Sequence, residues 1–561
     1  MPSAVTMTSE QTDRTWPGEP AADFPGVVRR LLILGLDGAT FDVLSPMMEA
    51  GRMPRLQAAV ESGASGTLWS TTPPITPAAW TTFLTGKHPG LHRILDFEGY
   101  DVTTGQLRFN SARSIRDTRN LWSILSERGF RVGSINVPLT YPPQPVNGFM
   151  ISGFDSPGPE APFAYPPDLR GPILERWPDP TSGKNWRRKV LGGEALFREN
   201  VAYLMRSFDQ SAQMTRWCGE RFGWDVLMVV LKLVDNLQHK TWKYIDPRWR
   251  DRAPSRRDLV VKAFSELDVA IGRVLDYAGE HGAAVMMVSD HGHGSLEGKV
   301  YPNALLSRWG YLKVRTPVER AIRAGREKIG RNGRSSASQY AGVERHLPVD
   351  LSRSAACVMH AGNAGFLYIN LKGRQPGGIV DPSEYERLRD ELTERFLAVR
   401  WRDPQGGEFP LFPKVHKPEE LYGCTRAEEP WLPDLMLIQD DRLAVARRLR
   451  GRTVVEWLPY RRLEGTHRFN GMFVACGPGI ARGRQVEAHI VDCAPTVLAM
   501  LGLRIPEDMQ GKVIVGAFER PPRIEKQAVR SATNVAASEH VYAEGELETI
   551  TTRLSDLGYL E

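Results

Sequence analysis

The 561-residue chain holds five cysteines, Cys218, Cys357, Cys424, Cys476 and Cys493, and no CxxC pair among them. An odd, scattered set in a long chain excludes a disulfide framework and a cysteine-built zinc site. The thiols read as buried groups in a reducing compartment. Long apolar runs are also missing: none approaches the roughly 18 residues of a membrane span. Arg29-Arg30 followed by Leu31–Leu36 has the outline of a signal peptide. The run is too short, stops at Asp37 and has no small-residue cleavage site. These absences predict a cytoplasmic protein with a disordered leader at 1–27. Charge of one sign is scarce as well. A net charge of +6 suits anionic ligands without demanding nucleic acid. The arginine-rich stretch Arg320–Arg334 has no interleaved aromatics and no DNA-binding motif, so it reads as a solvated loop. No internal repeat is present.

What the sequence does contain is alternation. Apolar runs bounded by turn residues recur at Leu31–Leu36, Val226–Leu233, Ala283–Val288, Leu435–Ile438 and Met472–Ala475. Such runs read as strands buried on both faces, as in a parallel sheet. Helical patterns lie between them, at Phe41–Ala50, Thr118–Arg128 and Asp258–Glu280, the first two closed by Gly51 and Gly129. The expectation is an α/β fold, a mostly parallel central sheet flanked by helices. Three regions break the rhythm. Residues 155–190 are rich in Pro, Gly and Trp, and Glu194–Phe222 reads as a long helix. Residues 300–430 carry the basic loop, an extended segment at Asn363–Asn370 and a helix at Ser383–Val399. The tail at 516–561 is polar and reads as peripheral. The expected organisation is one domain at 28–515 with insertions at about 155–222 and 300–430 that form a cap.

The ionisable residues of interest fall just after predicted strands, where open α/β sheets bind ligands. Asp37 follows the first run, Asp235 and His239 the second, Asp290 and His291 the third. Each alone is ambiguous. Asp37-Gly38 is equally an ordinary turn. Asp235 and His239, four apart, share a helix face and can reach one ion, or are an N-cap and a surface histidine. Ser289-Asp290-His291-Gly292 is more specific, because adjacent buried charges must be paired or metal-bound. His467, in Gly465-Thr466-His467, precedes another strand and can add a late ligand.

Taken in order, these segments resemble the type I phosphodiesterase/nucleotide pyrophosphatase branch of the alkaline phosphatase superfamily. Leu34-Gly35-Leu36-Asp37-Gly38 is similar to its first ligand strand. Thr76-Pro77-Ala78-Ala79-Trp80, running on to Thr85-Gly86, is similar to its nucleophile segment. Pro89-Gly90-Leu91-His92 resembles the Pro-x-x-His stretch that follows. Asp235-x-x-x-His239, Ser289-Asp290-His291-Gly292 and Gly465-Thr466-His467 resemble the remaining ligand motifs, and Val491–Leu498 the closing helix. The resemblance implies an alkaline phosphatase-like three-layer fold and a hydrolase with Thr76 as nucleophile. It implies one metal on Asp235, His239 and His467 and another on Asp37, Asp290 and His291, with Thr76 between them. A nitrogen and oxygen donor set suits Zn2+, with Mn2+ as the alternative. The implied substrate is a small-molecule phosphate ester or anhydride, cleaved through a phospho-threonine intermediate.

The pattern departs at Phe97, where the nucleotide pyrophosphatases carry an asparagine that donates to phosphate. Phenylalanine cannot donate, so another group should serve. Lys87, Arg93 and Arg468 are candidates, and each is equally a solvated basic residue. Phe97, together with Arg93 in place of the usual glycine, resembles a bacterial branch of predicted phosphohydrolases and phosphomutases. So does Gly362–Arg374, in which Asn370, Lys372 and Arg374 are candidate substrate contacts or parts of a turn. His293 and His360 read as substrate groups, supports of the ligands or structural residues. A phosphomonoesterase or phosphonate-ester hydrolase is the alternative enzyme, and a non-catalytic metal-binding protein the alternative class. Thr76-Pro77-Ala78 at the nucleophile position argues against a sulfatase, a branch that resembles Cys/Ser-x-Pro-x-Arg there.

Overall fold

The computed structural model describes residues 16–17, 19–116, 119–178, 180–181, 193–315, 349–360, 362–529, 542 and 544–557. Arg320–Arg334 and residues 1–15 of the leader lie outside them. The chain forms two compact units, one of residues 1–97, 110–295 and 464–559, the other of 98–109, 296–463 and 560–561.

The first unit is built on nine strands: β1 (Leu31–Gly35), β2 (Ala64–Trp69), β3 (Val132–Val137), β4 (Gly148–Ser152), β5 (Ala164–Tyr165), β6 (Val226–Val230), β7 (Ala284–Val288), β8 (Asn470–Cys476) and β9 (Arg484–His489). They form one sheet in the order β9-β2-β8-β7-β1-β6-β3-β4-β5. The centre is parallel: β1 pairs with β6 and β7, and β3 with β6 and β4. β8 runs against both its neighbours, and β5 against β4.

The central strands are continuous apolar runs because both of their faces are covered. Leu32, Leu34, Leu227, Val229, Val285 and Met287 enter one core, with the helices Gly193–Phe222 and Pro254–Glu280. The alternate residues Leu31, Ile33, Val226, Met228, Ala284 and Met286 enter the other, with the helices Thr76–Thr85, Leu121–Glu127 and Cys493–Met500. This two-residue alternation between two cores produces the three layers.

Register then positions the site. Gly35 stands level with Val230 on one side and Val288 on the other, so β6, β1 and β7 end flush. The three loops that follow emerge side by side.

Three expectations change. The run Leu435–Ile438 is a strand of the second unit, in a four-stranded antiparallel sheet with Ala356–Val358, Gly365–Ile369 and Lys414–His416. Met472–Ala475 lies in the main sheet but antiparallel. A buried apolar run reports burial on both faces and carries no sign for direction. The run at Val226–Leu233 is two elements, β6 and a helix starting at Leu233, because helix periodicity needs more than one turn to show. The tail helix Glu544–Leu557 buries Ile550 and Leu554, and Arg553 donates to Phe154 O at 2.7 Å. All five cysteines are free thiols. Among the described residues, no helix is long and apolar enough to cross a membrane.

Candidate functional site

Asp37 stands two residues past β1 and is followed by Gly38, whose φ of +68° turns the chain sharply. The Gly38 peptide organises what surrounds it. Its N–H donates to Asp290 Oδ1 at 3.0 Å. Its carbonyl accepts from Gln238 Nε2 at 2.7 Å and His293 Nδ1 at 3.2 Å. The sequence left a turn and a ligand position open as alternatives here; the turn is present, and Asp37 also joins a group of side chains that could hold a metal.

Asp235 and His239 occupy successive turns of the helix Leu233–Ile245, with Asp235 Oδ1 3.2 Å from His239 Nε2. Asp290 and His291 leave β7 directly and lead into the strand Gly292–Leu296, which pairs with the strand Glu464–Arg468. His467 therefore sits within a short strand and, as expected, just before β8. That pairing brings His467 Nε2 to 2.9 Å from His239 Nε2 and 3.4 Å from Asp235 Oδ1. His293 enters the same group, with Nε2 3.5 Å from Asp235 Oδ1.

Thr76 opens the helix Thr76–Thr85, whose ten residues are all buried. Pro77 suits the first turn because no in-helix acceptor awaits its missing N–H. Thr76 Oγ1 lies 3.2 Å from His291 Nε2. Trp80, one turn on, donates its indole N–H to Asp37 Oδ2 at 3.1 Å. His92 holds the same helix from the side: its Nδ1 accepts from the Ile94 N–H at 3.2 Å. The Nε2–H therefore points to Thr82 Oγ1, 2.9 Å away.

The donor atoms converge in two overlapping sets: Asp235, His239, His293 and His467, and Asp37, Asp235 and His291. Asp290 adjoins the second, its Oδ2 3.3 Å from His291 Nε2. Backbone carbonyls set the tautomers. His239 Nδ1 faces Gly465 O at 2.8 Å, His291 Nδ1 faces Gly292 O at 3.0 Å, and His467 Nδ1 faces Pro74 O at 3.0 Å. A carbonyl only accepts, so each Nδ1 carries a proton, and in its neutral form each ring turns an Nε2 lone pair inward.

Burial, then the charges of Asp290 and Asp235, hold the Asp37 carboxyl well above the usual range. Burial likewise raises Asp290, with Asp235 adding repulsion. Asp37 Oδ1 and Asp290 Oδ2 are buried with no hydrogen-bond partner among the described residues. Facing lone pairs and crowded carboxylates repel one another, and a divalent cation satisfies both. The residues present fit metal binding.

The other residues considered as substrate contacts have the following partners. Lys87 is buried and paired with Asp508. Arg93 is exposed, in the left-handed conformation that ends a short helix. Phe97 is buried edge-to-face against Phe154 at 5.5 Å. Arg468 donates to the carbonyls of His467 and Ser295, tying the two short strands together. Asn370 and Arg374 belong to the second unit. Asn370 Nδ2 donates to Leu351 O and Ser354 O, and Arg374 grips the buried Asp434 at 2.6 Å. In that same unit, His360 stacks on Phe366. The turn reading of Gly362–Arg374 accounts for these contacts.

Sequence reasoning passed over Lys232. It is buried, lies 3.8 Å above the Phe154 ring, and its charge acts on Asp37. The available signal was a lysine inside an apolar run three residues before Asp235.

A buried hydroxyl beside carboxylates and imidazoles that could hold a metal, at the carboxyl edge of a mostly parallel sheet, is the arrangement of a hydrolase-type α/β enzyme. Residues 31–470 match the family type I phosphodiesterase/nucleotide pyrophosphatase, and the chain belongs to that family of phosphoric ester hydrolases. Among solved structures it is similar to phosphonoacetate hydrolase from Sinorhizobium meliloti 1021 in complex with phosphonoformate. That match has 16% identity over 87% of this chain and 97% of the other, with a TM-score of 0.52. Murine ectonucleotide pyrophosphatase/phosphodiesterase 5 in complex with AMP is matched at 12% identity over 85% and 95%, with a TM-score of 0.47. No curated protein matches the chain.

Proposed function

We propose that the protein hydrolyses a phosphodiester or pyrophosphate with Thr76 as nucleophile, at a centre that holds two divalent ions, Zn2+ by donor chemistry. The observation that carries this reading is the placement of Thr76 Oγ1, 3.2 Å from His291 Nε2, at the opening of a buried helix. Asp235, His239 and His467 would hold one ion, and Asp37, Asp290 and His291 the other. Bound there, the ions would supply Lewis acidity and lower the pKa of an adjacent hydroxyl.

The chain's own residues do the rest. The positive end of the Thr76 helix faces developing negative charge. Trp80 fixes Asp37 through its indole N–H, and the Gly38 peptide fixes Asp290. Thr76 Oγ attacks phosphorus as the bond to the leaving oxygen breaks. The threonine proton is released and the leaving group takes one from water. Water then attacks the phospho-threonine, the Oγ–P bond breaks, and Thr76 regains its proton.

Two measurements test this. Thr76→Ala should lower turnover of a bis-aryl phosphate by at least about 10³-fold. Mass spectrometry of quenched wild type should find a phosphate on Thr76. Unchanged turnover in the variant would end the assignment. Rates on a diester, a monoester and a phosphonate ester, each with Zn2+ or Mn2+, would rank the substrates. Preference for the phosphonate would replace the phosphodiester reading with a phosphonate hydrolase on the same residues.

A further inference from the structure

We propose that His293 is a fourth protein ligand of the ion assigned to Asp235, His239 and His467. The inference rests on the metal reading above and concerns one residue that the motif comparison leaves unassigned.

Four observations carry it. First, His293 is completely buried, and its Nε2 has no hydrogen-bond partner among the described residues. Second, its Nδ1 lies 3.2 Å from Gly38 O, an atom that only accepts. The proton is therefore on Nδ1, and Nε2 of the neutral ring offers a lone pair. That lone pair faces the carboxylate oxygen Asp235 Oδ1, an unfavourable pairing until a cation stands between them.

Third, the distances suit one ion. From Asp235 Oδ1 the Nε2 atoms of His239, His467 and His293 lie at 3.2, 3.4 and 3.5 Å. A tetrahedral zinc with bonds of about 2.0–2.1 Å separates its ligands by about 3.3 Å. His239 and His467 stand closer, at 2.9 Å, and need only a small outward shift.

Fourth, the ring is held in place. Trp242 lies nearly parallel to it at 6.3 Å, and His239 meets it edge-on at 4.6 Å. Gly38 makes the room, since a Cβ there would come within 2.7 Å of His293 Nδ1.

The other set differs. Asp37, Asp290 and His291 supply three donors beside Thr76, leaving that position open to substrate. Four donors against three should make the His293 site the slower of the two to exchange its ion.

The test compares wild type with His293→Asn and His293→Gln, loaded with zinc alone. The Asn amide can still reach Gly38 O but lacks any atom at the Nε2 position. The Gln side chain extends further and offers an oxygen there. Wild type should retain one zinc per chain through dialysis against a chelator. X-ray absorption at one equivalent should count three imidazoles around it. His293→Asn should show two imidazoles and a dissociation constant raised by on the order of 100-fold or more, with Gln intermediate. Unchanged melting of the metal-free variants would show that the fold is intact.

Two imidazoles in wild type, or affinity of His293→Asn within tenfold of wild type, would overturn the proposal. His293 would then hold the Gly38 turn and pack beside Asp235 without touching the ion. A wild-type chain that binds no zinc would overturn the two-metal reading itself, a result distinct from either of these.

Discussion

His92 lies outside the metal-ligand motifs, yet it governs how the Thr76 helix responds to acid. Burial first, then the charges of His88 and Lys87, lower its pKa to about 3. The folded protein therefore favours neutral His92. Its contribution to stability is fully present above the unfolded value of about 6.5. It is lost as pH falls from there toward 3, because the unfolded chain gains a proton that the folded chain refuses. Denaturant midpoints at pH 7 and pH 5 should show this loss in wild type and a smaller one in His92→Gln. Equal losses would assign the acid sensitivity to other groups. Phe97 makes a second residue-scale case. Replacing it with the asparagine of the nucleotide pyrophosphatases should not restore a phosphate donor. The side chain is packed against Phe154, so Phe97→Asn should cost about 3 kcal/mol in denaturant unfolding and leave turnover no higher. Higher turnover with stability retained would show that position 97 reaches substrate.

At the scale of elements, the site depends on strands that stop together and on the turn leaving the middle one. The flush ends of β6, β1 and β7 deliver Asp235, Asp37 and Asp290 to one edge, and the Gly38 peptide fastens the three loops. Gly38→Ala should lose stability by about 1–2 kcal/mol from the left-handed backbone alone. It should also displace His293, into whose ring the new Cβ points. Calorimetry together with kcat/KM tests this, and a variant that keeps both would show that the turn relaxes freely. Most of these elements were legible in the sequence. The apolar runs, their lengths and the acids after them follow from burial on two faces. Strand direction was not legible, which is why Leu435–Ile438 and Met472–Ala475 were assigned to parallel positions.

On the scale of the whole molecule, each unit has its own buried polar centre. In the second unit Asp434 accepts from both Arg374 and Arg426, with Arg374 Nη2 at 2.6 Å and Arg426 Nη2 at 2.7 Å, and from the Ile369 N–H. These guanidiniums hold its carboxyl low despite burial. Asp434→Ala strands two cations and should destabilise that unit by about 3 kcal/mol or more. Thermal melting should show the drop, while the affinity of the first unit for added zinc stays unchanged. A loss of zinc would show that the units are energetically coupled.

The sequence alone determined the chemistry on offer. Seven residues, Asp37, Thr76, Asp235, His239, Asp290, His291 and His467, are recognisable because they stand next to patterns that local physics imposes: strand ends, a helix start, a tight turn. Tertiary structure decided which other residues join them. His293 and Lys232 lie in the site, whereas Lys87, Asn370 and Arg374 are engaged with Asp508, backbone carbonyls and Asp434. A side chain's partner depends on which distant segments pack around it. That depends on strand order and register, long-range properties that no local spacing encodes.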